Sequence, residues 1–340
     1  MASDLVLGIE SSCDETAAAV VADGKVVMSS VIHTQIEEHA AWGGVVPEIA
    51  GRSHLRAIRP VLEQALADAG ITHQDLAGIA VTNRPGLLGS LLIGTTAAKA
   101  LAWAWEKPLV GVHHIEAHIY AALMTIEEPQ FPFITLVVSG GHTSLYRTTS
   151  PLQHELLGCT RDDAAGEALD KAAKMLGLGY PGGPAIQQAA QEGDPKAFPF
   201  KLPLLSRDSL EFSFSGLKTA LLYTLKGPGG KMADDWIIPH DTLPDLCASF
   251  EHAVTATLAR KCVRACAQTG IKQILVGGGV ACNQRLRVLM QQEANKAGVE
   301  AIFAPPAYCT DNAVMIAGLG YELLQRGELA DLDLEVFARA

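Results

Sequence analysis

The alternation of apolar and polar positions predicts the same series of elements twice along this chain. In the first half, two apolar strands flank a polar turn, and an Asp23-Gly24 turn leads into a third strand. The same order follows Pro132, where the turn between the strands has the sequence SGGH. The predicted strands are 5–9, 17–22 and 26–28 in the first half, and 133–138 and 143–147 in the second. Each half therefore begins with a β-hairpin.

The ends of the two halves also match. Each has a long helix and then a strand, a helix, a short strand and a second helix. These segments are 47–69, 78–82, 88–105, 109–112 and the helix from His114 in the first half, and 244–268, 273–276, 282–297, 301–303 and 311–324 in the second. Two such α/β lobes with a cleft between them form the duplicated ASKHA fold of actin, Hsp70 and the sugar kinases. A chance likeness between common α/β elements is the alternative.

This repeat predicts a first lobe at 1–130 and a second lobe at 131–340, with a helical insertion at about 150–240.

The chain is 49% hydrophobic and 19% charged, as packed globular domains are. Its net charge of -11 offers no general attraction to polyanions, so a nucleic-acid partner requires a local basic patch or a helper protein. The chain has seven cysteines without a CxxC pair, no basic start of the kind that signal peptides have, and no apolar run of membrane length. These features predict a cytoplasmic protein without a membrane partner.

The segment HHIEAH at 113–118 places His114 and His118 on one face of a helix, where two histidines can share a metal ion. A zinc-peptidase helix needs HExxH, whereas Glu116 lies two residues after His114, about 200° around the helix. Asp311 follows the last strand of the second half, and His114 follows the last strand of the first half. We therefore expect the two histidines and Asp311 to converge at the cleft between the lobes. Two histidines and a carboxylate suit Fe²⁺, and Zn²⁺ is also compatible. Core histidines without a metal are the alternative.

Two glycine turns, 139–141 and 277–279, follow apolar strands at matching points, where bare amides favour a phosphate-bearing ligand. Asp14 and Glu15 lie in the first hairpin turn, which approaches the nucleotide phosphates in sugar kinases; an ordinary Asx turn is the alternative. A third feature is a group of basic side chains on the helix 47–69, which forms a solvated face or a surface for nucleic-acid phosphates. Its members are Arg52, His54, Arg56 and Arg59.

Eight ordered segments resemble the TsaD family of tRNA N6-adenosine threonylcarbamoyltransferases, formerly called O-sialoglycoprotein endopeptidases, over essentially the whole chain. They are GIESSCDET (8–16), PEIAGRSHL (47–55), NRPGLLGSLLIG (83–94), HHIEAH (113–118), VVSGGHTSL (137–145), GEALDKAAKMLGLGYPGGP (166–184), FSFSGLKTA (212–220) and GGVACNQRLR (278–287). The resemblance implies an ASKHA fold with one divalent metal ion, Fe²⁺ favoured, on His114, His118 and Asp311. It also implies that threonylcarbamoyl-AMP is bound by residues of the second lobe. These are Val137, Val138, Ser139, Gly140, Gly141, Asp170, Gly183 and Asn283.

The resemblance implies a reaction on tRNAs that read ANN codons. N6 of the adenosine 3′ to the anticodon attacks the carbamoyl carbon, and AMP leaves. Asp14, or else Glu15, is our expected proton acceptor. Implied partners are tRNA, a heterodimer with TsaB through the first lobe, the ATPase TsaE and a TsaC-type enzyme that supplies the adenylate. Gln187 departs from the family, because some bacterial members have a substrate-contacting aspartate there. Rival functions are a metal-dependent peptidase and an ASKHA-type ATP-binding kinase or scaffold.

Overall fold

Two five-stranded mixed sheets confirm the duplicated α/β fold. The computed structural model describes residues 3–206, 208–226 and 242–339. The first sheet contains β1 (Leu5–Glu10), β2 (Glu15–Ala22), β3 (Val26–Thr34), β4 (Leu76–Arg84) and β5 (Leu109–His113). The second contains β6 (Phe133–Val138), β7 (Thr143–Ser150), β8 (Gln153–Cys159), β9 (Gln273–Gly277) and β10 (Glu300–Phe303). Their strand orders correspond, namely β3-β2-β1-β4-β5 and β8-β7-β6-β9-β10.

Helices connect and cover these strands. Those of the first half are α1 (Ile36–Ala40), α2 (Pro47–Ala69), α3 (Leu88–Trp105) and α4 (His114–Leu123). Those that follow are α5 (Ala165–Met175), α6 (Gly182–Ala189), α7 (Ser215–Lys226), α8 (Leu243–Thr269), α9 (Gln284–Ala297), α10 (Pro306–Cys309) and α11 (Ala313–Gln325). In the part of the chain described here, no helix combines the length and the apolar character needed to cross a membrane.

The first sheet has a hydrophobic core on each of its faces, because successive side chains of a strand point to opposite sides. On β1, Val6 packs in a core with α4 and α11, whereas Leu7 and Ile9 pack on the opposite face with α2 and α3. The strands of this sheet therefore read as nearly continuous apolar runs, as expected for a sheet that is covered on both sides.

The helix α11 lies on this first sheet and corrects the predicted lobe boundary. The chain forms two units, and the segment from Ala307 onward belongs to the unit that also holds residues up to Pro129, not to the predicted second lobe 131–340. Glycines allow the close packing that holds α11 there. A Cβ atom on Gly8 of β1 would lie 2.3 Å from the carbonyl oxygen of Ala313, and one on Gly320 would lie 2.3 Å from Cβ of Ala80.

The second unit comprises Gln130–Thr149 and His154–Pro306. Here the predicted helical insertion at about 150–240 begins too early, because Gln153–Cys159 forms the edge strand β8 beside β7. The helices α5, α6 and α7 follow within the predicted range, and residues 227–240 of that prediction lie outside the described residues. The predicted helix start at Cys282 is also early, because a 3₁₀ turn at Gly279–Cys282 precedes α9.

Candidate functional site

The two predicted histidines and Asp311 lie together within the first unit. His114 begins α4 directly after β5, His118 follows one turn later, and Asp311 lies two residues before α11. The Nε2 atoms of His114 and His118 are 3.4 Å and 3.1 Å from Asp311 Oδ1. Packing of α11 on β1 thus places Asp311 in the same unit as the histidines, which corrects its predicted origin in the second lobe.

These three side chains fit a transition-metal ion. Ligand atoms about 2.1 Å from a common ion lie about 3.0–3.4 Å apart for bond angles of about 90–110°. The two nitrogen–oxygen distances, 3.1 Å and 3.4 Å, fall in this range, and one ligand atom from each residue lies within 4.8 Å of the others. His118 Nδ1 is buried without a hydrogen-bond partner among the described residues. Two imidazoles and one carboxylate form a donor set that suits Fe²⁺ or Zn²⁺.

A buried glutamate, Glu10 at the end of β1, contacts the first histidine. Its Oε2 lies 2.9 Å from Nδ1 of His114 and accepts a hydrogen bond of 2.7 Å from Thr82 Oγ1. Glu10 is fully buried and was not predicted as a site residue. No local pattern identifies it, because its partner histidine is 104 residues away.

Burial and charge oppose each other in this cluster. Burial lowers the pKa of His114, but the charges of Asp311 and Glu10 and their hydrogen bonds outweigh it and hold that pKa well above its usual value. Burial likewise raises the pKa of Asp311, and the two histidines more than offset this, so the carboxyl stays ionised. The cluster therefore concentrates negative charge around two imidazoles, which favours a cation.

The first hairpin turn, with Asp14 and Glu15, belongs to the same unit. Glu15 begins β2, and its Oε1 accepts a hydrogen bond of 3.3 Å from Thr34 Oγ1. Burial, and then the negative charges of Asp311 and Asp14, raise the pKa of Glu15 to about 10. A carboxyl group with so high a pKa is protonated at neutral pH and is a poor proton acceptor there.

His54 does not belong to the basic face of α2, where the sequence placed it. The side chain is fully buried, with Nδ1 2.8 Å from Thr16 Oγ1 and Nε2 3.0 Å from the carbonyl oxygen of Cys13. It therefore holds the turn before β2 in place. Arg52, Arg56 and Arg59 remain exposed.

The predicted ligand turn of the second unit is Ser139-Gly140-Gly141, directly after β6. It packs against the start of α5, where the amides of Gly166 and Glu167 donate to the carbonyl oxygens of Ser139 and Gly140 at 3.2 Å and 3.1 Å. No heavy atom would lie within 4 Å of a Cβ on Gly140 or Gly141, so the outer side of the turn is open. A ligand can approach these amides closely.

The predicted Val137 and Val138 lie in β6 with fully buried side chains, so only their backbone is available to a ligand. The second glycine turn lies beside them, because Val137 pairs with Gly277 of β9. Gly278 has a φ of 91°, and a Cβ on it would lie 2.4 Å from the carbonyl oxygen of Val138. The two turns are thus adjacent at the carboxyl ends of parallel strands, where α/β sheets bind ligands.

Asp170 and Gly183 lie where α5 meets α6. Asp170 Oδ1 accepts a hydrogen bond of 2.7 Å from the amide of Gly182. The position of Gly183 is open, because the nearest heavy atom to a Cβ there is Leu169 Cδ1 at 3.9 Å. Asp170 therefore fixes the start of α6, next to the open glycine.

Asn283 is held at both ends of its side-chain amide. Its Oδ1 accepts from the amide of Leu286 at 2.9 Å, and its Nδ2 donates to Glu251 Oε1 at 2.6 Å. Gln187, at the position that departs from the TsaD pattern, accepts a hydrogen bond of 2.7 Å from the amide of Gln284. Asn283 and Gln187 thus both stabilise the start of α9. Glu251, a buried acid 32 residues from Asn283, was another residue that the sequence did not reveal.

Comparison with known families gives one match over most of the chain. The family model described as "TsaD: tRNA N6-adenosine threonylcarbamoyltransferase" matches residues 26–318. A protein of that name from Trichlorobacter lovleyi is 52% identical over 339 residues, which cover 98% of this chain and 96% of the relative. Its namesake from Syntrophotalea carbinolica is 50% identical over 330 residues, covering 97% and 94% of the two chains.

Solved structures with the same fold are more distant in sequence. Component A of the Acidaminococcus fermentans (R)-2-hydroxyglutaryl-CoA dehydratase is 14% identical, with a TM-score of 0.55 over 94% of this chain and 98% of that one. HypF from T. kodakarensis is 15% identical, with a TM-score of 0.60 over 99% of this chain and 49% of its own. These similarities support the two-lobe ASKHA-type fold class.

Proposed function

Because this chain belongs to the TsaD family of tRNA N6-adenosine threonylcarbamoyltransferases, we propose that it transfers threonylcarbamoyl from threonylcarbamoyl-AMP to tRNA. The acceptor is N6 of the adenosine 3′ to the anticodon in tRNAs that read ANN codons. The observation that supports this most strongly is the 50% identity to curated transferases over 97% of the chain. The family match over residues 26–318 includes the histidine pair, Asp311 and both glycine turns.

A divalent metal ion, Fe²⁺ in preference to Zn²⁺, would be held by His114, His118 and Asp311. The separations of their ligand atoms and the negative charge around them support this assignment. When bound, the ion supplies Lewis acidity and a template for an oxygen-bearing substrate group. The peptidase alternative lacks its base, because HExxH needs a glutamate directly after the first histidine and this chain has Ile115 there.

The adenylate would be bound by backbone groups of the second unit. The open amides of Gly140 and Gly141 suit the phosphate or the carbamoyl oxygen, because hydrogen-bond donors aimed at developing negative charge stabilise it. Val137 and Val138 would contribute main-chain contacts from β6. Ser139 would contribute the first residue of the ligand-binding turn. Asp170, Gly183 and Asn283 complete the proposed set, with Asp170 and Asn283 acting through the helix starts that they hold.

The proposed chemistry is one acyl transfer with a good leaving group. A bond forms between N6 and the carbamoyl carbon, the bond from that carbon to the phosphate oxygen breaks, and AMP departs with the electron pair. The proton lost from N6 passes to Asp14. Positioning and charge stabilisation contribute most of the acceleration, because the mixed anhydride needs little further activation.

The partners would be tRNA, TsaB, the ATPase TsaE and a TsaC-type enzyme that supplies the adenylate. We place TsaB on the exposed side of α2, where a recess is lined by Ile49, Arg52, Leu55 and Arg56. Leu55 is 66% exposed there, and an apolar side chain rimmed by arginines is typical of the core of a protein interface. A cytoplasmic location is consistent with seven free cysteines, since thiols stay reduced there.

The direct test is mass spectrometry of tRNA nucleosides. Unmodified tRNA is incubated with this protein, its partners, ATP, threonine and bicarbonate, and the digest is analysed for N6-threonylcarbamoyladenosine. The modified nucleoside should form, and omission of threonine should abolish it. The Trichlorobacter lovleyi relative in place of this chain serves as the reference. Product with that relative but none with this chain would refute the proposed activity.

A further inference from the structure

The environment of His114 is more specific than that of an ordinary buried histidine. Its Nδ1 lies 2.9 Å from Glu10 Oε2, and the Ser12 hydroxyl lies 3.2 Å from the same nitrogen. Its other nitrogen, Nε2, lies 3.4 Å from Asp311 Oδ1. The two ring nitrogens therefore face different acids, one of which is a candidate metal ligand.

Glu10 is itself held in one orientation by hydrogen-bond donors. Thr82 Oγ1 donates to its Oε2 at 2.7 Å, and the amide of Ser12 donates to its Oε1 at 2.5 Å. A carboxylate that already accepts from a hydroxyl and an amide accepts from the imidazole as well, so the proton of that contact lies on Nδ1. In the neutral ring that a metal ion requires, the lone pair of His114 is then on Nε2, which faces Asp311.

The second histidine has no such support. His118 Nδ1 is buried, and no described residue forms a hydrogen bond with it. In metal sites, the carboxylate behind a histidine sets its tautomer, orients the ring and raises its basicity. The two candidate histidine ligands therefore differ, and only His114 has a carboxylate behind it.

We propose that Glu10 is a positioning residue of the metal centre, which sets the tautomer of His114 and links the ring to the turn containing Asp14. This inference rests on the proposed function, because it assumes that His114 binds a metal ion. The link to the turn is direct: the backbone of Ser12 donates to the same carboxylate, and Asp14 follows two residues later. Loss of Glu10 thus weakens metal binding without removal of a ligand.

The test measures metal affinity without measuring activity. Zn²⁺ is titrated into metal-free protein in competition with a chromophoric chelator, for wild type, Glu10→Gln, His114→Ala and Glu116→Gln. Glu10→Gln should bind Zn²⁺ about 10–100 times more weakly than wild type, the range found for loss of a carboxylate behind a histidine ligand. Glu116→Gln removes one acid from the same helix as His114, outside the ligand cluster, and should stay within about twofold of wild type.

A second measurement addresses the tautomer in the wild-type protein and does not depend on how Glu10→Gln folds. In Zn²⁺-loaded, ¹⁵N-histidine-labelled protein, long-range ¹H–¹⁵N spectra should show His114 protonated at Nδ1, with the signal assigned from its loss in His114→Ala. Wild-type affinity in Glu10→Gln, or the opposite tautomer, would overturn the role of Glu10 and leave the metal site intact. Failure of the wild type itself to bind Zn²⁺, Fe²⁺ or Co²⁺ would overturn the metal site and this role with it.

Discussion

The contact between Gly8 and α11 predicts that one methyl group on β1 disturbs the candidate metal centre. In Gly8→Ala, the new Cβ would lie 2.3 Å from the carbonyl oxygen of Ala313 and 2.6 Å from the amide nitrogen of Ala317. Both neighbours are backbone atoms of a helix and cannot rotate away. The helix must therefore move, and Asp311 lies two residues before Ala313.

The size of the movement follows from the distances. Cβ atoms essentially never approach within 3.0 Å of such neighbours, so the shift is at least 3.0 − 2.3 = 0.7 Å. Metal–ligand distances tolerate only about 0.2 Å, so a displacement of this size at Asp311 weakens metal binding. Overpacking of this kind costs about 1–3 kcal/mol of unfolding free energy. For a unit of this size, that corresponds to a fall of about 2–12 °C in the unfolding midpoint.

The assay combines thermal unfolding with the Zn²⁺ titration. Gly51→Ala is the matched control, because a Cβ on Gly51 inside α2 would lie no closer than 4.0 Å to its nearest neighbour, Gly89. Alanine is favoured over glycine in a helix by about 1 kcal/mol, so this control should keep or raise the midpoint and leave Zn²⁺ affinity unchanged. If Gly8→Ala matched wild type in both midpoint and affinity, the close packing of α11 on β1 would be refuted.

Three further predictions concern ligation, catalysis and docking. His118→Ala should lower metal stoichiometry from about one to near zero by elemental analysis, because a three-ligand site loses affinity steeply with one ligand removed; full occupancy would contradict the ligand assignment. Asp14→Asn should lower single-turnover tRNA modification by about 10²–10⁴ with adenylate affinity nearly unchanged, as for loss of a general base; a wild-type rate would show that the proton leaves by another route. Leu55→Asp should abolish co-elution with TsaB at micromolar concentration, whereas Leu329→Asp, at a position also exposed (58%), should not; equal behaviour of the two variants would exclude the α2 surface.

Most elements could be predicted because their apolar runs are strongly periodic and glycine or proline separates them. The strands 5–9 and 133–138 and the helix 88–105 fall within one residue of their observed limits. The edge strand β8 was missed because its sequence, QHELLGC, is mostly exposed or half-buried and lacks a clear alternation. The unit to which α11 belongs was also missed, since a helix buried over most of its length contains no signal for which sheet it covers.

The candidate site was predictable to different depths. His114 and His118 could be paired because helical geometry relates residues four apart, and Asp311 because it follows a strand end. Glu10, Glu251 and the inward orientation of His54 could not be predicted. Each depends on a partner far along the chain, and an isolated acid or histidine in a sequence does not indicate which distant side chain it meets.

The discontinuity of the first unit has a consequence for the time course of synthesis. His118 and Asp311 are 193 residues apart in sequence. At about 5–20 residues per second, Asp311 leaves the ribosomal catalytic centre about 10–40 s after His118. During that interval, the nascent first sheet lacks both α11, which helps to cover one of its faces, and the acidic candidate ligand. The candidate metal centre is therefore among the last parts of the molecule to form, and a chain that stops before Asp311 has two histidines but no complete candidate site.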